Sequence, residues 1–285
     1  MSRRHRLLLA YLGALALALV TAGLQPVAFQ KSNAIRAVRT LPELGTGDAL
    51  DVTNIVGAIP YQPGEVWSVL PAEKYRRTIE EGRGNCSQKT FGLAWWLDRE
   101  GRPFQVVHLL PLESFLAGGG HTLLRARVDW RDQEQTALVD LHQGALPMSG
   151  DRPIDITDLA AGPIDGFHFE LLNPRGADST VYFGAFLDSA VVGVIPDPEI
   201  DRYFRFLEAV YRPLGNQRIE KLIYDGLALL LGYYPTIHVI DTDRLFAGRG
   251  VARTRYQATL WLLRSALVVL PAFLMMELLP HRERA

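Results

Sequence analysis

Three residues in this 285-residue chain have types and spacing that could do nucleophilic chemistry together: Cys86 in "GRGNCSQKTFGLAWWL", His121 in "GGGHTLLRARVDW" and Asp140 in "TALVDLHQG". Cys86 is the only cysteine, which excludes an intramolecular disulfide, a zinc finger and a CxxC redox pair. It follows a glycine-bearing turn, where Asn85 or Cys86 can open a helix carrying Phe91, Ala94 and Trp95 at helical spacing. Unpaired amides and the positive dipole end of a helix stabilise an anion, so a thiol placed there has a larger thiolate fraction. The other role of a free cysteine is that of a small buried hydrophobe; the position and the glycine context weigh against it.

A nucleophilic thiol needs a base, and the base needs a group that orients it. Five histidines are available between the apolar ends: His108, His121, His142, His168 and His238. His121 opens a strand pattern directly after "GGG", and a polar turn, "RDQE", leads into a returning strand, "TALVDLHQG". A two-residue loop at Arg131 and Asp132 would set position 142 opposite His121 and put Asp140 one diagonal step away, within side-chain reach. A four-residue loop would move Asp140 further off. His142 is the rival base, while His108, His168 and His238 sit among apolar neighbours and read as packed. Trp95 and Trp96 read as core behind the cysteine helix.

The elements around these residues follow from punctuation and periodicity. "PAEKYRRTIEEG" reads as a short helix entered at Pro71 and left at Gly82, and "PFQVVHLLP" as a strand. "GAIPYQPGEVWSVLP" reads as loop with at most a short strand, and residues 150 to 195 as irregular. Asp197-Pro198 then opens a helix with Ile200, Tyr203, Phe204, Leu207, Val210 and Tyr211 on one face. After the break at "RPLGN", Asn216 caps a second, completing a helical hairpin.

Both ends are apolar. Arg3, Arg4 and Arg6 precede an uncharged run from Leu7 to Leu24, long enough to span a bilayer with the basic flank in the cytoplasm. It reads as an uncleaved anchor, with a signal peptide cut near Gly23 as the competing reading. A second run, Thr259 to Leu279, reads as spanning, with Arg264 and Glu277 near its ends and arginines on both flanks (Arg253, Arg255, Arg282, Arg284). Residues 25 to 257 then lie outside the cytoplasmic membrane, facing the periplasm or exterior, and 281 to 285 form a cytoplasmic tail. The domain reading is a catalytic core over 25–150, an accessory region over 151–257 and a membrane helix over 258–280.

A net charge of −1, with both signs mixed along the chain, argues against a nucleic-acid partner. GxSxG, GxxxxGK[ST] and HExxH are all absent from the sequence, and the residues call for no cofactor and no metal.

A cysteine opening a helix after "GN", a strand after "REGRPFQVV", a histidine opening the next strand and a carboxylate in "ALVDLHQG" together resemble the core of the transglutaminase-like superfamily, with its papain-like cysteine fold. The resemblance covers about residues 70 to 145. It implies an α+β fold in a membrane-anchored bacterial member, with Cys86 as nucleophile, His121 as general base and acid, and Asp140 as the residue that orients the histidine. The activity implied is thiol-dependent acyl transfer at an amide of a peptide or protein, by a peptidase, an amidase or a crosslinking transglutaminase. The chain departs from the pattern at Leu123, where the family often carries an aromatic residue. The competing expectation is a non-catalytic membrane adaptor working with envelope or polysaccharide assembly proteins.

Overall fold

The computed structural model describes residues 3–161, 164–178 and 190–278. The chain is α+β. Its helices are α1 (Arg3–Leu24), α2 (Pro26–Ala34), α3 (Val52–Gly57), α4 (Pro71–Tyr75), α5 (Cys86–Arg99), α6 (Ile156–Ala161), α7 (Asp197–Val210), α8 (Gln217–Leu231), α9 (Thr242–Leu245) and α10 (Gly250–Leu278). Its strands are β1 (Ile35–Ala37), β2 (Leu50–Asp51), β3 (Phe104–Pro111), β4 (His121–Trp130), β5 (Gln133–Val139), β6 (Ala145–Ser149), β7 (Arg152–Pro153), β8 (Phe167–Leu171), β9 (Ala190–Pro196) and β10 (Ile237–Val239).

The main sheet runs β1-β10-β9-β3-β4, with β5 on the far side of β4, and β2 pairs in parallel with β4 at Val128 and Asp129, beyond the end of β3. A small sheet, β7-β6-β8, stands beside it. The stretch expected to be irregular therefore contains, among the described residues, α6 and the strands β7, β8 and β9 of the two sheets. β9 lies between β3 and β10, so residue 150 is not a break in the sheet.

Both faces of the sheet are buried around β3, which is why β3 is mostly apolar rather than alternating, while β4 carries polar residues as well. Val106, Leu110, Leu124, Ala126 and Val139 meet Leu93, Ala94 and Leu97 of α5, while Val107, Leu109, Leu123, Leu138 and Val194 pack with Ile154 and Ile156 on the other face. Thr90, Leu93, Ala94 and Leu97 are the deepest residues of α5; Phe91, Trp95 and Trp96 are half-buried at the margin of that core. Trp95 donates its indole N–H to Glu208 on α7 at 3.2 Å.

Behind α5, "PAEKYRRTIEEG" is not one regular α-helix: α4 ends at Tyr75 and continues as one wider π-helical turn, Arg76–Glu80. A Cβ on Gly92 would lie 2.2 Å from Oγ1 of buried Thr78 and 3.3 Å from Cα of Tyr75. Gly92→Ala would gain up to ~1 kcal/mol of helix propensity, but overpacking costs about 1–3 kcal/mol, so the variant should melt lower than wild type. A melting temperature equal to or above wild type would show that α4 and α5 part freely.

The helical hairpin of α7 and α8 is present, with Asn216 Oδ1 accepting from the Ile219 N–H at 3.2 Å. Tyr203 of α7 donates to buried Asp225 of α8 and holds the pair together. Pro196, one residue earlier than expected, caps α7.

The chain has two long apolar helices, one at each end. α10 starts at Gly250, nearer the globular part than the apolar run suggests, and continues through Pro271. α1 and α10 lie side by side and antiparallel: Tyr11 and Ser265 hydroxyls are 2.8 Å apart, and the Tyr256 hydroxyl bonds the Gln25 side chain. Arg264 does not reach outward; its guanidinium donates to the carbonyls of Leu229 and Leu230, at 2.8 and 3.0 Å, capping α8. The side chain of Glu277 and the expected tail with Arg282 and Arg284 lie outside the described residues.

Candidate active site

Cys86 is the first residue of α5, and a capping box holds it there. Asn85 Oδ1 accepts from the Gln88 N–H at 3.0 Å, and Gln88 Oε1 accepts from the Asn85 N–H at 3.0 Å. The same Gln88 side chain bonds both backbone groups of Val66, tying the preceding loop to the helix start. Gly84 turns the chain into the cap with φ of 105°, a conformation that favours glycine. The Cys86 backbone N–H has no backbone acceptor among the described residues, so it points from the helix end as a free donor.

His121 opens β4 after Gly120, whose φ is 132° and whose Cβ position would be 2.6 Å from the Leu109 carbonyl oxygen. The β4–β5 hairpin turns through two residues, Arg131 and Asp132, both at positive φ, with Trp130 paired to Gln133. That register puts Asp140 one diagonal step from His121. β5 stops at Val139, and the chain turns so that Asp140 Oδ1 accepts from the N–H groups of His142 and Gln143, at 2.9 and 3.0 Å. Its other oxygen, Oδ2, accepts from His121 Nε2 at 2.8 Å, and both side chains are fully buried.

With Nε2 engaged by Asp140, the nitrogen left to serve the thiol is Nδ1, and Cys86 and His121 lie close enough for each to shift the other's ionisation. The charges reinforce one another. Burial pushes the Cys86 thiol up, but the hydrogen bond and charge of His121, with the Thr122 backbone N–H, outweigh it and hold the thiol below its ordinary value. Burial pulls His121 down, and the charge and hydrogen bond of Asp140, together with Cys86, raise it to about 9. Asp140 is held below the usual carboxylate range: burial opposes ionisation, and His121 and the two backbone donors overcome it. The arrangement favours a thiolate beside an imidazolium backed by a carboxylate.

The structure thus brings Cys86, His121 and Asp140 together and assigns the other histidines elsewhere. The His142 ring is 6.2 Å from that of His121 by centroids, and burial lowers its pKa; it supports Asp140 through its backbone rather than its ring. His108 bonds the Thr122 hydroxyl at 3.2 Å, and burial takes it down to about 3. His168 is exposed on β8 instead of packed, because its side chain points away from the small sheet's covered face. His238 is half-buried on β10.

Several neighbours were not singled out by the sequence. Lys31 of α2 donates to the Gly119 carbonyl at 3.2 Å, and burial lowers it to about 8. Lys89, one turn along α5 from Cys86, is buried with its ammonium 3.8 Å from the centre of the Tyr61 ring. The Tyr61 hydroxyl in turn donates to the Leu141 carbonyl at 2.7 Å, bracing the turn that carries Asp140. Lys89 had a legible signal, its i+3 spacing from the cysteine; Lys31, far away in sequence, had none. Among the described residues no cluster of three or more His, Cys, Asp or Glu could hold a metal ion.

No protein-family model matches the chain, and no curated protein or solved structure matches it either.

Proposed function

We propose that the protein is a thiol-dependent acyl-transfer enzyme acting on amides, with a papain-like, transglutaminase-like core. The observation that carries this reading is the grouping of half-buried Cys86 at the start of α5 with the buried pair His121–Asp140 and its 2.8 Å bond. The packing of α5 on β3 and β4 supports the finer fold assignment.

In the reaction, Cys86 Sγ attacks the amide carbonyl carbon, and the Cys86 backbone N–H stabilises the oxygen as it becomes negative. His121 gives its Nδ1 proton to the leaving nitrogen, the C–N bond breaks, and a thioester remains. His121 then takes a proton from water or an amine, which attacks the thioester and releases Cys86. Water makes the enzyme a peptidase or amidase; an amine makes it a crosslinker. A thiol-reactive activity probe should label the wild-type protein and not Cys86→Ala. An inert Cys86 in folded protein would favour the non-catalytic adaptor.

The same reading places the globular part outside the cytoplasmic membrane, anchored by α1 and α10. Their antiparallel pairing supports it, since it sends both termini to the same side as the basic flank. α8 supports it as well: Ile219, Leu222, Ile223 and Leu231 are exposed, and the helix is tied to α10 at Arg264, which sets this apolar face against the bilayer. Protease added to intact spheroplasts should digest the region between the two helices, and a reporter after Ala285 should behave as cytoplasmic. The Tyr11–Ser265 contact favours a retained anchor. A protected globular region would overturn the placement, and a mature N-terminus near Gly23 would overturn the anchor.

A further inference from the structure

Beside the Cys86 helix start lies a groove of about 440 Å³ whose wall includes Tyr61, Gly84, Asn85, Lys89, His142 and Arg175. Two of these residues carry polar groups in buried surroundings without the hydrogen-bond partner that burial normally demands. Lys89 is only 3 % exposed, and its one close contact is the face of Tyr61. Among the described residues its side chain makes no hydrogen bond and no ion pair. His142 Nδ1 is the second, buried with no hydrogen-bond partner.

Removing a cation from water without an anion beside it costs several kcal/mol. The nearest carboxylate does not meet that need: the oxygens of Asp140 are already taken by His121, His142 and Gln143. Burial lowers Lys89 to about 8, which leaves it mainly charged at neutral pH. A charge kept at such a cost next to a nucleophile is complementary to an anion that arrives with the ligand.

We propose that this groove is a carboxylate subsite, in which Lys89, with His142 Nδ1 and with Arg175 at the exposed rim, holds a carboxylate of the acyl donor beside the amide that Cys86 attacks. The proposal rests on the thiol acyl-transfer reading and deepens it by naming the substrate class. A carboxylate fits better than a phosphate dianion. There is one buried ammonium, the N–H groups of Gln88 and Lys89 at the helix start are taken by Asn85, and exposed Glu65 on the rim disfavours a second negative charge.

The test uses the full-length chain in detergent and two alkylating reagents, iodoacetate and iodoacetamide, which share a leaving group and differ in charge. With one cysteine, mass spectrometry reports on Cys86 alone. The ratio of the two rates cancels any change in thiolate fraction and so separates an anion subsite from a merely thiolate-stabilising lysine. Lys89→Met, which keeps the buried stem, should lower the iodoacetate-to-iodoacetamide ratio about tenfold, the scale of one charge-assisted hydrogen bond. Lys31→Gln should change it less than about twofold, since a diffuse field is screened more than a direct contact. An unchanged ratio in Lys89→Met, or an equal fall in Lys31→Gln, overturns the proposal; Lys89→Gln replaces Met if the latter does not fold.

Slow iodoacetamide reaction of wild type at every pH would instead defeat the acyl-transfer reading, and binding then decides the subsite. In Cys86→Ser, saturation-transfer NMR compares N-acetyl-Gly-Gly, N-acetyl-Ala-Glu-amide and N-acetyl-Ala-Gln-amide. Signal from an acidic probe that disappears in Lys89→Met supports the subsite, and whichever acid binds identifies the carboxylate as terminal or side-chain. Equal signal from the neutral probe, or none from either acid, overturns it.

Discussion

In the His121→Ala variant, alkylation of Cys86 by iodoacetamide at pH 6 is expected to fall between about tenfold and a hundredfold relative to wild type. An unperturbed cysteine with a pKa of ~8.5 is less than about 1 % thiolate at pH 6, whereas the hydrogen bond and charge of His121 hold the wild-type thiol below its ordinary value and so enlarge its thiolate fraction. The gain in rate is smaller than the gain in thiolate, because a less basic thiolate is also a weaker nucleophile. Even so, the population effect wins. The helix start and the Thr122 N–H remain in the variant and leave it some residual reactivity.

The same pair sets the pH profile of turnover. Activity should rise as Cys86 ionises, from below the ordinary thiol range, and fall as His121 loses its proton near about 9, giving a bell whose limbs belong to the coupled pair. His142→Ala should leave low-pH alkylation close to wild type, because its ring is not the thiol's partner. If His142→Ala abolishes low-pH reactivity and His121→Ala spares it, the base is misassigned.

Much of this site is a consequence of local sequence. Asn85 and Gln88 are three apart with an apolar run behind them, and that spacing alone makes a capping box and sets Cys86 on the first helical position. The His121–Asp140 relation needed only parity and a two-residue turn. The turn itself was less legible, because Arg131 and Asp132 take positive φ where Asn-Gly would be the usual signal. The trade is supported by seven cross-strand pairs between β4 and β5.

What the sequence does not display is non-local. β9 joins β3 across nearly eighty residues of chain, and "AVVGVIP" is a continuous apolar run that reads equally as strand or buried helix. Arg264 illustrates the same limit: its charge in an apolar run suggested an interface position, and only the fold shows that the exposed carbonyls of α8 receive it. Lys31 is brought to the thiol by α2, which packs under the Gly118–Gly120 turn, and no spacing could relate it to Cys86.

Asp140→Ala should be the most destabilising single change in the site, by about 3–5 kcal/mol. It leaves His121 Nε2 and the N–H groups of His142 and Gln143 without their acceptor in a fully buried place. Asp140→Asn separates charge from geometry: its amide oxygen can still accept from the two backbone donors, while the negative partner of the imidazolium is gone. Turnover should fall by about 10³–10⁴, as expected when a histidine loses the group that fixes its tautomer and supports its charge. Stability should show the charge term as a pH dependence. Asp140 is depressed in the folded state, so its contribution is present above its unfolded pKa of about 3.8 and is lost as pH falls through the lower folded value. His121 is raised, so its contribution is full below its unfolded value of about 6.5 and disappears as pH rises through about 9. The melting-temperature gap between wild type and Asp140→Asn should therefore be widest between about pH 4 and 6.5 and narrow on both sides. A gap of constant size across that range would mean that Asp140 serves only as a neutral turn cap, and the imidazolium–carboxylate pair at the centre of the proposed mechanism would be lost with it.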